Sequence, residues 1–412
     1  MTQRQIELYI HVPFCKQKCA YCDFLSAPAD EETIHRYVRA LQRELMLRCR
    51  QAAGYEVISI FFGGGTPSLI DARYIEEILD VIRHYYSLAA DCEISLELNP
   101  GTAKKESMRQ YHQMGINRLS IGLQSVDNGL LKALGRIHLY EDFLHTFDLA
   151  RHAGFHNINV DLMSGIPGQS LEDWQTSLEK VVRLRPTHIS AYGLIVEEGT
   201  PFYEAYGADE ERRSRGEEPL YLPSEETERA MYALTGHFLA YHGYAQYEIS
   251  NYAKPGYECR HNIGYWVGRA YLGFGIGAAS LFDAERSSNV RDLATYCEKL
   301  EALEGRSPSE IAALESLAVT PEESLFPVAE SVSLTRKDRI SEFMFLGLRM
   351  TQGVTRADFF NRFGVEIEGL YGDVLLRLSK AGLLLVEQGR VALTEEGVDI
   401  SNYVLSEFLL DE

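Results

Sequence analysis

Short segments rich in β-branched and aromatic residues alternate with longer amphipathic segments through the first half of the chain. The short segments predict six β-strands, which cover residues 8–12, 57–62, 93–98, 118–123, 157–163 and 188–194. The amphipathic segments predict helices, which cover residues 31–50, 72–85, 104–114, 128–134, 140–153 and 171–184. Regular alternation of strands and helices indicates βαβ units, and therefore a parallel sheet covered by helices.

Unusual residues concentrate at one end of the predicted strands. They are cysteines, glycines and polar residues that lie at, or just beyond, the carboxyl end of a strand. The positions concerned are residues 15–22, 63–67, 97–100, Gln124, Asp161 and residues 192–194. Because functional residues gather at this end in a β/α barrel, the arrangement favours a barrel over an open sheet. The predicted fold class is α/β, with a partial (β/α)6 TIM-like barrel and a smaller C-terminal α+β domain.

The second half of the chain predicts a less regular organisation. Residues 207–228 are highly charged and poor in aliphatic side chains, which is typical of an exposed loop. Residues 301–334 include a stretch rich in Glu, Ser and Pro, which predicts a linker or insertion. From residue 335 to residue 412, helical patterns and a strand–turn–strand predict a winged-helix-like domain. The barrel is then expected at residues 1–235, and residues 236–300 are expected to close it.

Composition and charge narrow the possible partners and the compartment. The chain has 412 residues, of which 45% are apolar, and its formal net charge is −20. An acidic chain is a poor match for the nucleic-acid backbone, so we expect no nucleic-acid partner. No apolar run approaches the roughly 18 residues of a membrane-spanning helix, and the N-terminus lacks a signal-peptide pattern. These features predict a cytoplasmic protein, while peripheral membrane contact and the oligomeric state stay open.

Three closely spaced cysteines carry the strongest chemical signal. Cys15, Cys19 and Cys22 form a C-x3-C-x2-C pattern, and the other four cysteines are scattered. Three thiolates can hold a [4Fe-4S] cluster with one iron left open, since such a cluster ordinarily takes four cysteines. On spacing alone, a structural zinc site and buried cysteines without metal remain alternatives. The residues that could complete a zinc site are His11, His35 and Cys49.

Polar candidates at the other strand ends suit a nucleoside conjugate of an amino acid. A glycine run follows the second predicted strand in FGGGTP, where the backbone could approach a ligand or simply turn. The further candidates are Glu97, Gln124, Arg136 and Asp161. A carboxylate can hold a ribose diol, and an arginine can bind a free carboxylate through two hydrogen bonds. Each residue alone is equally compatible with a solvated charge or a helix cap.

Together these motifs resemble the radical S-adenosylmethionine superfamily. The resemblance rests on CxxxCxxC, GGGTP, ELNP, GLQS and NVDLMSGIPGQ, and the YIHVPFC segment resembles the branch of oxygen-independent coproporphyrinogen III oxidase. It implies a [4Fe-4S] cluster on the three cysteines and S-adenosylmethionine on its open iron. The residues implied to contact these cofactors are Tyr9, Tyr21, Gly64, Gly65, Thr66, Glu97, Gln124, Arg136 and Asp161.

Two departures from the oxidase pattern resemble the HemW-type heme chaperone family instead. Phe24 stands where the oxidases have a fourth cysteine, and only eight residues precede Tyr9. The segment HNIGYW matches the HNxxYW motif of the chaperone family. The resemblance implies that His261 and Tyr265 are candidate haem ligands and that Trp266 packs on the porphyrin. On the residues alone, a buried polar cluster is the alternative interpretation of this segment.

The resemblance implies a protein that binds haem and delivers it to haem-accepting proteins, with a cluster and S-adenosylmethionine as cofactors. The alternative function is that of an oxygen-independent coproporphyrinogen III oxidase, which makes protoporphyrinogen IX by 5′-deoxyadenosyl radical chemistry. Phe24 and HNIGYW favour the chaperone. Whether S-adenosylmethionine is cleaved productively stays open, and so does enzymatic activity.

Overall fold

A parallel six-stranded sheet lies at the centre of the computed structural model, which describes residues 4–306, 310–311, 324–387 and 389–410. Its strands are β1 (Arg4–Val12), β2 (Tyr55–Gly64), β3 (Leu88–Leu98), β4 (Arg118–Gln124), β5 (Asn157–Ser164) and β6 (His188–Gly193). The helices that follow these strands are α1 (Glu31–Arg48), α2 (Ala72–Tyr85), α3 (Lys105–Gln113), α4 (Asn128–Ala133), α5 (Tyr140–Ala153), α6 (Leu171–Arg183) and α7 (Pro201–Ser214). Short 3-10 helices cover Cys49–Ala52 and Pro67–Leu69.

The sheet is a barrel that does not close. Its six additional strands are β7 (Ala245–Glu248), β8 (Asn251–Ala253), β9 (Tyr271–Phe274), β10 (Ala279–Phe282), β11 (Glu285–Asn289) and β12 (Val328–Ser333). The complete strand order is β12-β11-β10-β9-β1-β2-β3-β4-β5-β6-β8-β7. Strands β1 to β6 therefore follow one another without the reversal that marks a doubly wound sheet. The predicted partial (β/α)6 barrel is confirmed.

The inside of the barrel is polar. Ile121 of β4 and Val160 of β5 belong to the apolar core between the sheet and the helices. The side chains that alternate with them along these two strands lie on the inner face of the sheet, where they contact one another. Asn159 Nδ2 donates to Ser120 Oγ and to Asp161 Oδ1, each at 2.7 Å. Barrel interiors are usually filled by branched apolar side chains. This barrel instead presents hydrogen-bonding groups beneath its carboxyl end.

The helices that follow α7 are α8 (Glu225–Tyr241), α9 (Arg260–Trp266) and α10 (Leu293–Glu301). Helix α9 lies low in the barrel, because Glu93 accepts hydrogen bonds from the backbone N–H groups of Arg260 (3.1 Å) and His261 (3.4 Å). Glu93 lies five residues before the end of β3 at Leu98. At a rise of about 3.3 Å per residue, α9 contacts β3 roughly 16 Å below the carboxyl end.

The prediction of an exposed loop over residues 207–228 is wrong at both ends, because α7 extends to Ser214 and α8 begins at Glu225. Thr200 caps α7, since its Oγ1 accepts from the N–H of Tyr203 at 3.2 Å. Arg213 and Glu210 form an ion pair at 3.1 Å one turn apart. A highly charged segment can therefore be helical when it has a cap and paired charges.

The last part of the chain forms its own apolar core under a three-stranded sheet. Its elements are α11 (Arg336–Gly347), β13 (Val354–Thr355), α12 (Arg356–Phe363), α13 (Glu368–Lys380), β14 (Leu384–Val386), β15 (Arg390–Leu393), α14 (Glu395–Asp399) and α15 (Ser401–Ser406). Helices followed by a β14–β15 hairpin agree with the predicted winged-helix-like arrangement. In the predicted linker, β12 is an edge strand, and residues 307–309 and 312–323 lie outside the described residues.

No helix in the described part of the chain is both long and apolar enough to cross a membrane.

Candidate functional site

A cavity of about 460 Å³ opens at the carboxyl end of the barrel strands. All but three of the candidate residues line it, although they come from six different parts of the chain. Those that line it are Cys15, Cys19, Tyr21, Cys22, Gly64, Gly65, Thr66, Glu97, Gln124, Arg136 and Asp161. Tyr9, His261 and Tyr265 lie elsewhere. The barrel thus brings the cysteine loop, the glycine run and the polar strand ends around one space.

Backbone hydrogen bonds hold the cysteine loop across the barrel end. The N–H of Cys15 donates to the carbonyl of Ala27 at 3.1 Å, which closes the loop at its base. Ala20 donates its N–H to Leu134 and accepts at its carbonyl from the N–H of Phe202, each at 3.1 Å. The loop is therefore attached at its middle to the segments after β4 and β6, and its three thiols face the cavity.

A chain of hydrogen bonds connects two of the cysteine sulfurs through the barrel wall. Thr66 Oγ1 lies 3.3 Å from Cys15 Sγ and accepts from Asn99 Nδ2 at 2.7 Å. Asn99 Oδ1 accepts from Arg136 Nη2 at 2.7 Å, and Arg136 Nη1 donates to Cys19 Sγ at 3.7 Å. Hydrogen bonds to cysteine sulfurs orient metal ligands and tune their electron density. The donor set and its supports therefore fit an iron–sulfur cluster.

His11, one candidate ligand of the alternative zinc site, is already hydrogen-bonded within the protein. His11 Nδ1 lies 3.0 Å from the hydroxyl of Tyr9, and His11 Nε2 lies 2.9 Å from the carbonyl oxygen of Leu25. Both ring nitrogens are thus committed within the protein. Burial raises the pKa of the Cys22 thiol, so a bound cation would have to stabilise its thiolate.

The glycine run packs closely against its own chain at the edge of the cavity. A Cβ at Gly64 would lie 2.4 Å from His11, and one at Gly65 would lie 2.8 Å from the carbonyl oxygen of Phe14. The N–H of Gly64 donates to Glu97 Oε2 at 3.2 Å, and that of Gly65 donates to the carbonyl of Val12 at 2.9 Å. The glycines border the cavity, but both N–H groups are used internally.

Two carboxyl groups make the cavity floor suitable for a cationic ligand group. Burial, together with the nearby Asp161, raises the pKa of Glu97 to about 8. Burial also raises the pKa of Asp161, although Asn159 and Ser120 donate hydrogen bonds to it. Neither carboxyl forms an ion pair with any residue that the structure describes. An ammonium or sulfonium group placed between them would stabilise both in the charged form.

Glu97 should lower stability as the pH rises. Between its unfolded pKa of 4.5 and its folded pKa of about 8, the unfolded chain releases a proton that the folded chain retains. The free energy of unfolding should fall by up to about 1.4 kcal/mol per pH unit in this window. Because glutamine does not titrate, Glu97→Gln should gain stability over the wild type between pH 5 and pH 8, measured by urea unfolding.

The exposed Glu76→Gln variant on α2 is the control and should follow the wild type at both pH values. If Glu97→Gln and the wild type keep the same difference at pH 5 and pH 8, the carboxyl of Glu97 does not carry the raised pKa.

Tyr9 is half-buried in the barrel beneath the cavity. Its ring centroid lies 6.4 Å from those of Phe61 and His261. Burial raises its pKa, and its hydroxyl contacts His11 rather than the cavity. Tyr9 thus supports the site from below, and its predicted contact with S-adenosylmethionine stays a prediction.

His261 and Tyr265 lie deep in the barrel, away from the cysteines. His261 is 1% exposed, with Nδ1 at 2.9 Å from Ser59 Oγ and Nε2 at 3.1 Å from the Tyr265 hydroxyl. Burial lowers the pKa of His261 to about 3, so the ring is neutral. Coordination of haem iron by His261 would require one ring nitrogen to leave its partner. The assignment of both residues as haem ligands stays a prediction.

The sequence analysis placed Asn99 and Tyr192 within the ranges at the strand ends but assigned neither of them a role in the site. Asn99 joins Thr66 to Arg136, and Tyr192 donates its hydroxyl to Gln124 Oε1 at 2.7 Å. Gln124 has a φ of 71°, a left-handed conformation that is unfavourable for a residue other than glycine. The position of Asn99 in ELNP and of Tyr192 at the end of β6 was the available signal.

Comparison with known sequences finds two family profiles and full-length relatives that match the chain. The sequence profile of the Radical SAM superfamily matches residues 9–181, and that of the HemN C-terminal domain matches residues 334–400. The heme chaperone HemW of Bacillus subtilis is 34% identical over 402 residues, which are 97% of this chain and 98% of the relative. HemW of Lactococcus lactis is 33% identical, over 100% of this chain and 99% of the relative.

The likeness to a solved structure concerns the fold. Coproporphyrinogen III oxidase (HemN) from Escherichia coli matches with a TM-score of 0.79 at 22% sequence identity. The match covers 99% of this chain and 90% of the oxidase. With full-length relatives above 30% identity and the matching barrel and C-terminal domain, the chain belongs to the HemW family within the Radical SAM superfamily.

Proposed function

We propose that this protein is a heme chaperone, which binds haem and delivers it to haem-accepting proteins. The observation that carries the proposal is the end-to-end match, 97% of this chain and 98% of the relative, with a protein named heme chaperone HemW. The HNIGYW segment supports it, because its aromatic side chains suit a flat apolar ligand. The acceptors are proposed as haemoproteins without further specification, and we propose a reducing, cytoplasmic location that preserves the cluster.

The cysteine loop is proposed to hold the cofactors of the family. Cys15, Cys19 and Cys22 would hold a [4Fe-4S] cluster, which when bound supplies one-electron chemistry and an open iron position for S-adenosylmethionine. Glu97 and Asp161 would stabilise the positive charge of that cosubstrate. Arg136 already donates to Asn99 and to the carbonyl of Gly122 (2.6 Å) and would therefore mainly orient the cluster ligands.

Oxidation of coproporphyrinogen is the alternative function, supported by the shared fold. Against it stands Phe24, which is 66% exposed and lines the cavity where the oxidase pattern has its fourth cysteine. An exposed aromatic ring cannot replace a thiolate as a metal ligand.

One experiment separates the two functions. Protein reconstituted with iron and sulfide under anaerobic conditions is incubated with haemin and then with an apo-haemoprotein, and haem transfer is followed by the Soret band. A parallel sample receives coproporphyrinogen III, S-adenosylmethionine and a reductant, and protoporphyrin fluorescence is recorded. We expect haem binding and transfer without porphyrin formation. Porphyrin formation without haem transfer would replace the chaperone proposal by the oxidase.

A further inference from the structure

Half of the lysines of this acidic chain surround the cysteine loop. Residues 15–22, 99–105 and 131–138 contain five of the ten lysines and no Asp or Glu, although the chain has 60 acidic residues in all. All five lysines are exposed. We call this group the lysine face, and it consists of Lys16, Lys18, Lys104, Lys105 and Lys132.

A small cavity brings the three segments together. It has a volume of about 30 Å³, and the residues that line it include Lys16, Cys19, Thr102, Gly135 and Ile137. Each residue of the lysine face lines this cavity or lies within three positions of a residue that does. The lysine face therefore forms the rim of one opening beside the cysteine loop.

This opening lies directly behind the site of the cysteines. Cys19, Thr66, Asn99 and Arg136 line both the small cavity and the main one. They belong to the hydrogen-bond chain between the two cysteine sulfurs, so one layer of side chains separates the lysine face from the main cavity. A volume of about 30 Å³ is the share of a single water molecule in the liquid. The opening is thus too small for an organic ligand, but it brings the protein surface close to the Cys19 thiol.

The charges of the lysine face are unpaired. None of its five ammonium groups forms an ion pair or a hydrogen bond within the described part of the chain, whereas the exposed Arg36 and Arg73 are paired with glutamates. The acidic residues that follow the three segments along the chain are Asp23, Glu106 and Glu141. A group of free cations on a chain with a net charge of −20 creates a local attraction for an anionic partner.

We propose that the lysine face binds a small acidic electron-transfer protein, which delivers one electron to the cluster. The proposal rests on the cluster of the proposed function and adds the partner that reduces it. Opposite charges would steer and orient the partner. Ile137, which is 53% exposed and lines the opening, would supply the apolar centre that interfaces have within a polar rim. Redox encounters use interfaces below about 1,200 Å², which suits a face built from three short segments.

The electron leaves the reduced centre of the partner and enters the cluster on Cys15, Cys19 and Cys22. The partner is oxidised by one electron, the cluster is reduced by one electron, and no bond forms or breaks. The position of the lysine face favours this partner over a nucleic acid or an anionic membrane. Both of those would extend beyond the lysine face onto a chain of net charge −20, which repels them, and neither requires a nearby thiol.

The test uses the reconstituted full-length protein and two acidic one-electron carriers as probes, a plant-type [2Fe-2S] ferredoxin and a flavodoxin. A triple variant, Lys104→Gln with Lys105→Gln and Lys132→Gln, removes three charges outside the cysteine loop. The matched control, Lys180→Gln with Lys254→Gln and Lys380→Gln, removes the same charge from other parts of the chain. We expect the triple variant to bind the carriers about tenfold more weakly in calorimetric titrations, while the control binds like the wild type.

Salt and reduction kinetics supply two further measurements. Wild-type binding should weaken as salt rises from about 0.01 M to about 1 M, because the Debye length falls from about 30 Å to about 3 Å. With limiting reduced carrier, the cluster of the triple variant should be reduced about tenfold more slowly, as recorded by its visible absorbance. Dithionite, which needs no docking surface, should reduce the clusters of both proteins at nearly the same rate.

The outcomes separate this partner from the proposed function. A protein that takes up no iron would overturn the proposed cofactor and this partner together. A protein with an intact cluster that binds neither carrier, or binds them equally well after the triple substitution, would overturn only the partner. Binding to phosphatidylserine vesicles that the triple variant loses, without any binding of the carriers, would overturn it in favour of a membrane surface.

Discussion

Replacing Cys15, Cys19 or Cys22 by alanine is expected to abolish cluster binding completely. Each variant leaves two thiols at a site where even the intact set is one short of the usual four. The loop offers no substitute, since the thiols come from eight consecutive residues attached by backbone hydrogen bonds to Ala27, to the end of α4 and to α7. Loss of Cys15 also breaks the chain through Thr66 and Asn99, and loss of Cys19 leaves Arg136 Nη1 without its sulfur acceptor.

Iron and sulfide analysis after anaerobic reconstitution measures this loss. Wild-type protein should contain about four iron and four sulfide per chain, and each variant should contain almost none. Cys49→Ala and Cys259→Ala are the controls, because Cys49 begins the 3-10 helix after α1 and Cys259 contacts Glu93 low in the barrel. A wild-type protein that takes up zinc but never iron would contradict the cluster assignment, as would full iron content in any of the three variants.

The fold was predictable because its signals are local. Alternating strand and helix patterns occur within windows of about 10 to 20 residues, and they located all six barrel strands. The carboxyl ends of parallel strands must meet at one edge, so the clustering of Cys15, Glu97 and Asp161 followed from the strand assignment. The cysteine spacing is equally local, and a family resemblance added the identity of the cofactors.

Contacts between distant residues could not be predicted from local patterns. Arg136 and Cys19 are 117 positions apart, and neither the strand pattern nor the spacing indicates that they touch. The spacing of four between His261 and Tyr265 places them on one face of a helix. It does not indicate whether that face packs against the barrel or against the C-terminal domain. Only the structure shows that it meets the barrel and leaves Trp266 to the C-terminal domain.

The glycines illustrate the same limit. A GGG run is compatible with a ligand-binding backbone and with a tight internal contact, and both require the absence of a Cβ. The structure favours the internal contact, because the Cβ positions of Gly64 and Gly65 point at His11 and Phe14. The run therefore acts on the site by fixing where the cysteine loop starts.

Replacing Gly65 by alanine should consequently displace Cys15. The added Cβ would lie 2.8 Å from the carbonyl oxygen and 2.9 Å from the nitrogen of Phe14, and backbone atoms cannot rotate away as a side chain can. Strand β2 is held on both sides by parallel pairing, so the strain falls on the segment of Phe14, which directly precedes Cys15. Overpacking of this kind costs roughly 3 kcal/mol. We expect a matching loss in urea unfolding and a reduced iron content after reconstitution.

Gly193→Ala is the matched control, because Gly193 ends β6 and lines the same cavity, yet a Cβ there would meet nothing within 4 Å. It should keep the stability and the iron content of the wild type. The comparison isolates the backbone contact from the general effect of adding a methyl group to the cavity wall. Wild-type stability and iron content in Gly65→Ala would show that the Phe14 segment can move freely. Close approach of a ligand, rather than the contact with Phe14, would then explain the glycine run.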